Sequence, residues 1–178
     1  FHKNGLARRP VASTTKMITA IIVHEAFPRE KVLEVPSVAT AVIGSDVQLR
    51  SGERMSVEHL LYALLVKSGN DAALTFSENF PGGTTQFVEQ MNLKTKALGL
   101  SATEFKDPAG LDDTGYSTAY DLSQIAKIFL KNGVLGNIVK TPSFTAVSAD
   151  GNTGHELKIS NRLVDPTESY FLPQALGI

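Results

Sequence analysis

The chain has 178 residues, 17 Lys+Arg against 18 Asp+Glu, a formal net charge of −1, 42% hydrophobic residues and neither Cys nor Trp. That length suits one domain with a sizeable core, and the hydrophobic share with almost no net charge excludes a disordered chain. Without Cys there are no disulfide scaffolds, thiolate metal sites or cysteine nucleophiles. Arg8-Arg9 is the one dense basic pair, too little for nucleic acid.

The longest apolar stretch, residues 17–23 interrupted by Thr19, is far short of the ~20 residues that span a bilayer. The run over 13–23 is apolar on nearly every face after Lys16, which predicts a helix opening near Ser13 and buried almost all round. Residues 31–35 and 41–49 are rich in Val and Ile and bounded by Pro28, Pro36 and Gly52, which predicts short strands or extended segments. Ser56 is placed to cap an amphipathic helix with Leu60, Leu61, Leu64 and Leu65 at i, i+4 spacing. That helix breaks at Ser68-Gly69-Asn70. Asn70 suits the cap of the next, from Asp71 to about Phe80, which Pro81-Gly82-Gly83 ends.

A further helix over 85–98 carries Phe87, Met91 and Leu98 on one side and stops at Gly99. Asp107-Pro108-Ala109-Gly110 opens a turn-rich loop, followed by a helix over about 118–131 that Gly133 stops. Residues 143–148 and 156–160 flank Asp150-Gly151-Asn152-Thr153-Gly154 and read as a β-hairpin with a longer loop. Helices in the middle with strands toward both ends argue for an α+β fold rather than alternating βαβ units.

His2, His24, His59 and His155 are scattered, with no His-Glu-x-x-His and no carboxylate cluster at ligand spacing, so no metal site is expected. Pro81-Gly82-Gly83 lacks the Gly-Lys-Ser/Thr of a phosphate-binding loop. Ser13-x-x-Lys16 is the only Ser-x-x-Lys in the chain. A hydroxyl in the first helical turn and an amine three residues on share a face, and the helix N-terminus offers unpaired N–H groups where an oxyanion develops. An ammonium set beside Met17, Ile18 and Ile21 is desolvated, which favours the free amine a general base needs. The plain alternative is a capping serine with a surface lysine. A helix this apolar has no large exposed face on which to place one.

Ser68-Gly69-Asn70 sits between two buried helices, where a loop can push a hydroxyl and a carboxamide into a cleft. Ser77-Glu78-Asn79 has the same spacing but lies inside a predicted helix, where its Ser and Asn point to different faces.

These residues resemble a family. Ser-x-x-Lys, then Ser-x-Asn, then Lys-Thr-Gly is the signature of penicillin-binding proteins and class A β-lactamases. Longer blocks are similar to the D-alanyl-D-alanine carboxypeptidases, low-molecular-mass penicillin-binding proteins of the S11 serine peptidase type. They are Ala12-Ser13-Thr14-Thr15-Lys16-Met17, Ser68-Gly69-Asn70-Asp71-Ala72-Ala73, Phe87-Val88-Glu89-Gln90-Met91-Asn92, Ala97-Leu98-Gly99-Leu100, Asp107-Pro108-Ala109-Gly110-Leu111 and Ser117-Thr118-Ala119-Tyr120-Asp121-Leu122. Their order and spacing fit from near residue 5 to the last residue.

The resemblance implies Ser13 as the nucleophile that attacks the carbonyl between two D-alanines and Lys16 as the group that takes its proton. Ser68 would help pass that proton to the departing D-alanine. Asn70 would hold the substrate's peptide amide and help orient Lys16, and the Ser13 N–H would form half of an oxyanion hole. Asn161 sits where the family often has an Asn-containing segment and is given no chemical role.

The implied fold is the α+β transpeptidase fold of penicillin-binding proteins and serine β-lactamases, a helical cluster against an antiparallel sheet. Lys-Thr-Gly occurs nowhere in the chain, which ends on Gly177-Ile178, a pair that in the family often leads into it. Residues 1–178 are therefore expected to be a partial catalytic domain that lacks part of the sheet and is a poor catalyst alone.

The implied activity is removal of the terminal D-alanine from peptidoglycan stem pentapeptides through an acyl-enzyme on Ser13, with acylation by β-lactam antibiotics and no cofactor. It implies an exported, extracytoplasmic parent acting on cell wall and cell shape, in this family often tethered by a terminal amphipathic helix. Two alternatives stand beside it. A serine β-lactamase of class A would need a deacylating Glu, and the segment around Glu156 has neither the spacing nor the context for one. A non-catalytic binding protein of the same fold would keep the pocket without turnover.

Overall fold

A computed structural model describes residues 4–169, 172 and 175. The apolar run after Pro10 folds as a 3-10 turn, Ala12–Thr15, that continues into helix α1, Lys16–Ala26. Every residue from Lys16 to Val23 is buried, because α1 runs through the centre of the helical cluster and touches four other helices. These are α2 (Val57–Val66), α3 (Asn70–Glu78), α4 (Gly83–Ala97) and α5 (Ala119–Lys131). Ile18, Leu61, Leu64, Phe76, Phe87 and Phe129 are fully buried between them. Side chains of this size contribute roughly 1.5–3 kcal/mol each on burial.

The Ser56 cap forms as expected, and Thr118, expected only as a helix start, adds a second. Ser56 Oγ accepts the His59 N–H at 3.2 Å at the start of α2, and Thr118 Oγ1 accepts the Asp121 N–H at 3.0 Å at the start of α5. Helix α5 ends at Lys131, as expected, but Gly133 does not open a loop. Asn132 closes α5 and its Oδ1 accepts from the N–H groups of Val134 and Leu135, so a short helix α6 (Gly133–Ile138) begins there and buries Leu135 and Ile138. Leu98 also departs from expectation. Helix α4 ends at Ala97, and the chain turns through Gly99 at φ +73°, which leaves Leu98 on the rim and sends Leu100 into the core.

Two antiparallel pairs complete the fold. Strand β1 (Val32–Glu34) pairs with β2 (Arg54–Ser56), with Leu33 opposite Met55. The predicted hairpin forms as β3 (Ser143–Val147) and β4 (Gly154–Lys158), with Ala146 opposite His155, and it packs on α2. Among the described residues these remain two separate two-stranded sheets, not one.

The segment 41–49 is not a strand. After a 3-10 turn at Ser37–Ala41 the chain is irregular, with Gly44 at φ +89° and Gln48 at φ +60°. Its backbone groups are taken by the first turn of α3 instead of by a neighbouring strand. The Asn70 carboxamide donates to the Ile43 carbonyl at 2.8 Å, the Asn70 N–H donates to the Ser45 carbonyl at 2.8 Å, and Asp71 Oδ2 accepts from Val47 N and Leu49 N at 3.0 and 3.1 Å. Among the described residues no helix is long and apolar enough to cross a membrane. Gly177 and Ile178 lie outside the described residues.

Candidate active site

Ser13 is solvent-exposed in the 3-10 turn, while Lys16, one turn on, is only 3% exposed. The first N–H groups of such a turn have no intrahelical partner and remain available to an anion. Lys16 Nζ stands 3.2 Å from Ser13 Oγ, 2.8 Å from Asn70 Oδ1 and 2.9 Å from the carbonyl oxygen of Ala109. Each partner comes from a different part of the chain: the turn, the start of α3 and the 107–110 loop. A capping serine and a surface lysine would produce none of this.

Burial among apolar side chains pushes the Lys16 pKa down from its ordinary 10.5 to about 8, against the opposing fields of Asp107 and Asp71. At pH 7 about a tenth is therefore free amine, against well under one part in a thousand for an ordinary lysine. A free amine has two N–H groups and one lone pair. Asn70 Oδ1 and the Ala109 carbonyl can only accept, so they take both N–H groups, and the lone pair is left facing the Ser13 hydroxyl.

Asn70 does not cap α3 as expected. It is the first residue of that helix, after Gly69, and its side chain bridges Lys16 and the Ile43 carbonyl. Asp71 beside it is buried; desolvation pushes its carboxyl pKa up, and three backbone N–H bonds, from Leu49, Val47 and Ala72, work against that rise.

Ser68 adopts φ +61°, a left-handed conformation uncommon outside glycine and costing of order 1 kcal/mol or more. It lines the cavity of about 200 Å³ that Ser13 and Lys16 also line, together with Met17, Leu64, Leu65, Ser160 and Asn161. The structure thus brings Ser13, Lys16 and Asn70 into one hydrogen-bonded set and sets Ser68 on the shared cavity wall. Ser77 and Asn79 are built into α3 and its end, Ser77 bonded to Leu74 and Thr84, Asn79 to Glu34 and Thr75.

Sequence reading missed the third partner of Lys16, the Ala109 carbonyl, and the carboxylate of Asp107 that shapes its loop. The only trace of them was the Asp107-Pro108-Ala109-Gly110 turn. A backbone carbonyl has no residue signature, so spacing could not assign it. A larger groove, about 480 Å³, lies between residues 50–54 and 148–153, with no hydroxyl–amine pair comparable to Ser13 and Lys16 on its walls. Among the described residues no group of three or more His, Asp or Glu side chains could hold a metal ion. His59 and His155 pack structurally: His59 meets the Val147 backbone, and His155 the Glu53 carboxylate at 2.8 Å.

A model of the D-alanyl-D-alanine carboxypeptidase family matches residues 1–171. The chain belongs to that family. It is 39% identical over 137 residues to the D-alanyl-D-alanine carboxypeptidase DacF of Bacillus subtilis, an alignment covering 74% of this chain and 35% of that protein. It is 32% identical over 158 residues to a D-alanyl-D-alanine endopeptidase of Pseudomonas aeruginosa, covering 88% of this chain and 51% of the relative. The chain thus spans about half, or less, of the length of these family relatives.

Among solved structures, the Streptomyces K15 DD-transpeptidase superposes with a TM-score of 0.84 at 28% identity, covering 92% of this chain and 69% of that one. A D-alanyl-D-alanine carboxypeptidase from Mycobacterium tuberculosis superposes with a TM-score of 0.85 at 29% identity, covering 91% and 61%. The family's fold is the α+β fold of penicillin-binding proteins, and the helices and small antiparallel sheets of this chain are part of it.

Proposed function

We propose that the protein carrying this chain is a serine D-Ala-D-Ala carboxypeptidase acting on peptidoglycan stem peptides, with residues 1–178 as part of its catalytic domain. The observation that carries this reading is the set of three oxygens around the buried Lys16 Nζ, those of Asn70, Ala109 and Ser13; in the free-amine form the first two take its N–H groups and the third faces its lone pair. In the forward step Ser13 Oγ bonds to the carbonyl carbon between the two D-alanines while Lys16 takes the hydroxyl proton. The C–N bond then breaks, and the leaving amine of D-alanine takes that proton from Lys16, with Ser68 on the cavity wall as relay. Water next attacks the ester, releasing the shortened peptide and returning the proton to Ser13. Asn70 holds Lys16 in line and offers its remaining capacity to the substrate amide.

A β-lactam enters the same sequence, its ring amide being the bond that opens, and leaves an acyl group on Ser13. This reading includes an extracytoplasmic site of action, where peptidoglycan stems are found, and a role in cell-wall maintenance. Support comes from the family membership and from relatives that bear the carboxypeptidase name. The test is labelling of the full-length protein with a fluorescent penicillin, together with D-alanine release from a pentapeptide. Ser13→Ala is expected to abolish both, and label retained on that variant would overturn the nucleophile assignment.

A further inference from the structure

We propose that Asp107 is a positioning residue for acylation: its carboxylate folds the 107–112 loop so that the Ala109 carbonyl is held on the Lys16 amine. The proposal rests on the reading of Lys16 as the base for Ser13. Asp107 Oδ1 accepts the N–H groups of Ala109 and Gly110, each at 2.7 Å, and Oδ2 accepts that of Asp112 at 2.7 Å. Both oxygens are therefore committed to backbone, and Asp107 acts on Lys16 through the loop and through its field.

The turn these bonds impose directs two successive carbonyls at α1. Pro108 O accepts from Thr19 Oγ1 at 2.7 Å and Ala109 O accepts from Lys16 Nζ at 2.9 Å. Gly110 follows at φ +78°, pressed against the Ala12 carbonyl. An Asp side chain that bonds the N–H groups two and three residues on is a recognised way to fix such a turn. Pro108 itself has no N–H, so it adds no donor of its own beside that carboxylate oxygen.

The charged groups whose fields reach Lys16 are Asp107 from this loop and Asp71 from α3, and both favour the ammonium form. Loss of the Asp107 charge therefore makes the amine less basic and moves the acid limb of the acylation profile to lower pH. A residue that only stabilised the loop would lower the melting temperature and leave that limb in place.

The experiment is the rate of acylation by a fluorescent penicillin from about pH 5.5 to 10, in the full-length protein, for wild type, Asp107→Asn, Asp107→Ala and Lys16→Ala. Asp107→Asn keeps one carbonyl oxygen for the Ala109 and Gly110 N–H groups, which set the Ala109 carbonyl, but turns an amide N–H₂ toward the Asp112 N–H, so it costs the third bond of the turn and removes the charge. Its acid limb is expected to move to lower pH. Asp107→Ala removes the turn as well, and its plateau rate is expected to fall by ~10-fold or more, within the usual range for a displaced general base. If Asp107→Ala does not fold, the Asn variant decides alone. An Asp107→Ala protein that folds and keeps the wild-type plateau rate overturns the proposal, and so does an unshifted limb in Asp107→Asn, whatever its melting temperature. A wild-type profile with no acid limb, or a Lys16→Ala protein that acylates at the wild-type rate, overturns the base reading instead.

Discussion

Replacing Lys16 with Met tests the buried amine at the centre of the site through stability, independently of any substrate. Lys16 is 3% exposed, and its pKa stands at about 8 against 10.5 for an ordinary lysine. The unfolded chain therefore binds this proton more tightly than the folded one. Between those two values the unfolded state carries more protons, so the free energy of unfolding rises with pH across that window. The gap between them corresponds to about 3 kcal/mol, at about 1.36 kcal/mol per pH unit. Below about pH 8 the folded protein bears the full cost of a buried ammonium, and above about 10.5 it bears none.

Lys16→Met has a similar length and no charge, so its stability lacks this component, although it leaves the Asn70 and Ala109 oxygens without their donor. That second effect does not depend on pH. The quantity to measure is the difference in urea unfolding free energy between wild type and Lys16→Met, followed by far-ultraviolet circular dichroism from about pH 7 to 10.5. Other titrating groups cancel in the difference. Wild type is expected to gain about 3 kcal/mol relative to the variant over that range. A flat difference would show that Lys16 keeps its proton as firmly folded as unfolded, and the argument for a free amine near neutral pH would fail with it.

Two further predictions concern the supports of the site. A Cβ on Gly110 would overlap the Ala12 carbonyl oxygen and stand 2.7 Å from Thr15 Oγ1, both in the turn that carries Ser13. Gly110→Ala, at a positive φ besides, is expected to destabilise by roughly 3 kcal/mol or more and to cut penicillin labelling; an unchanged melting temperature with full labelling would refute the close approach. Asp71→Asn places an amide N–H₂ against backbone N–H groups and is expected to destabilise by about 1–3 kcal/mol at neutral pH. The raised carboxyl pKa of Asp71 makes the folded state hold its proton longer, so wild-type stability falls as pH rises from 3.8 to that higher value. The Asn variant should lose that fall, and an acid titration of melting temperature shows whether it does.

Local chemistry was enough to read much of the helical framework. The cap at Ser56, the leucine spacing of α2 and the turn residues of the hairpin depend on neighbours within a few residues, so their signals survive in one dimension. The pairing of Ser13 with Lys16 was legible for the same reason, since three residues of one helical turn bring them together wherever the helix packs.

Other features depend on segments far apart in the chain. Residues 41–49 have the composition of a strand, yet Asn70 and Asp71 occupy the backbone groups a ladder would use. Asn70 has the composition of a cap, yet its carboxamide is bound 54 residues away, on Lys16. The Ala109 carbonyl reaches the same amine across 93 residues. Composition and spacing could nominate the hydroxyl and the amine. Whether the amine was buried, which oxygens took its protons and where its lone pair was left to point were decided by packing, because each requires atoms from distant parts of the chain to meet at hydrogen-bonding distance in a space closed to water.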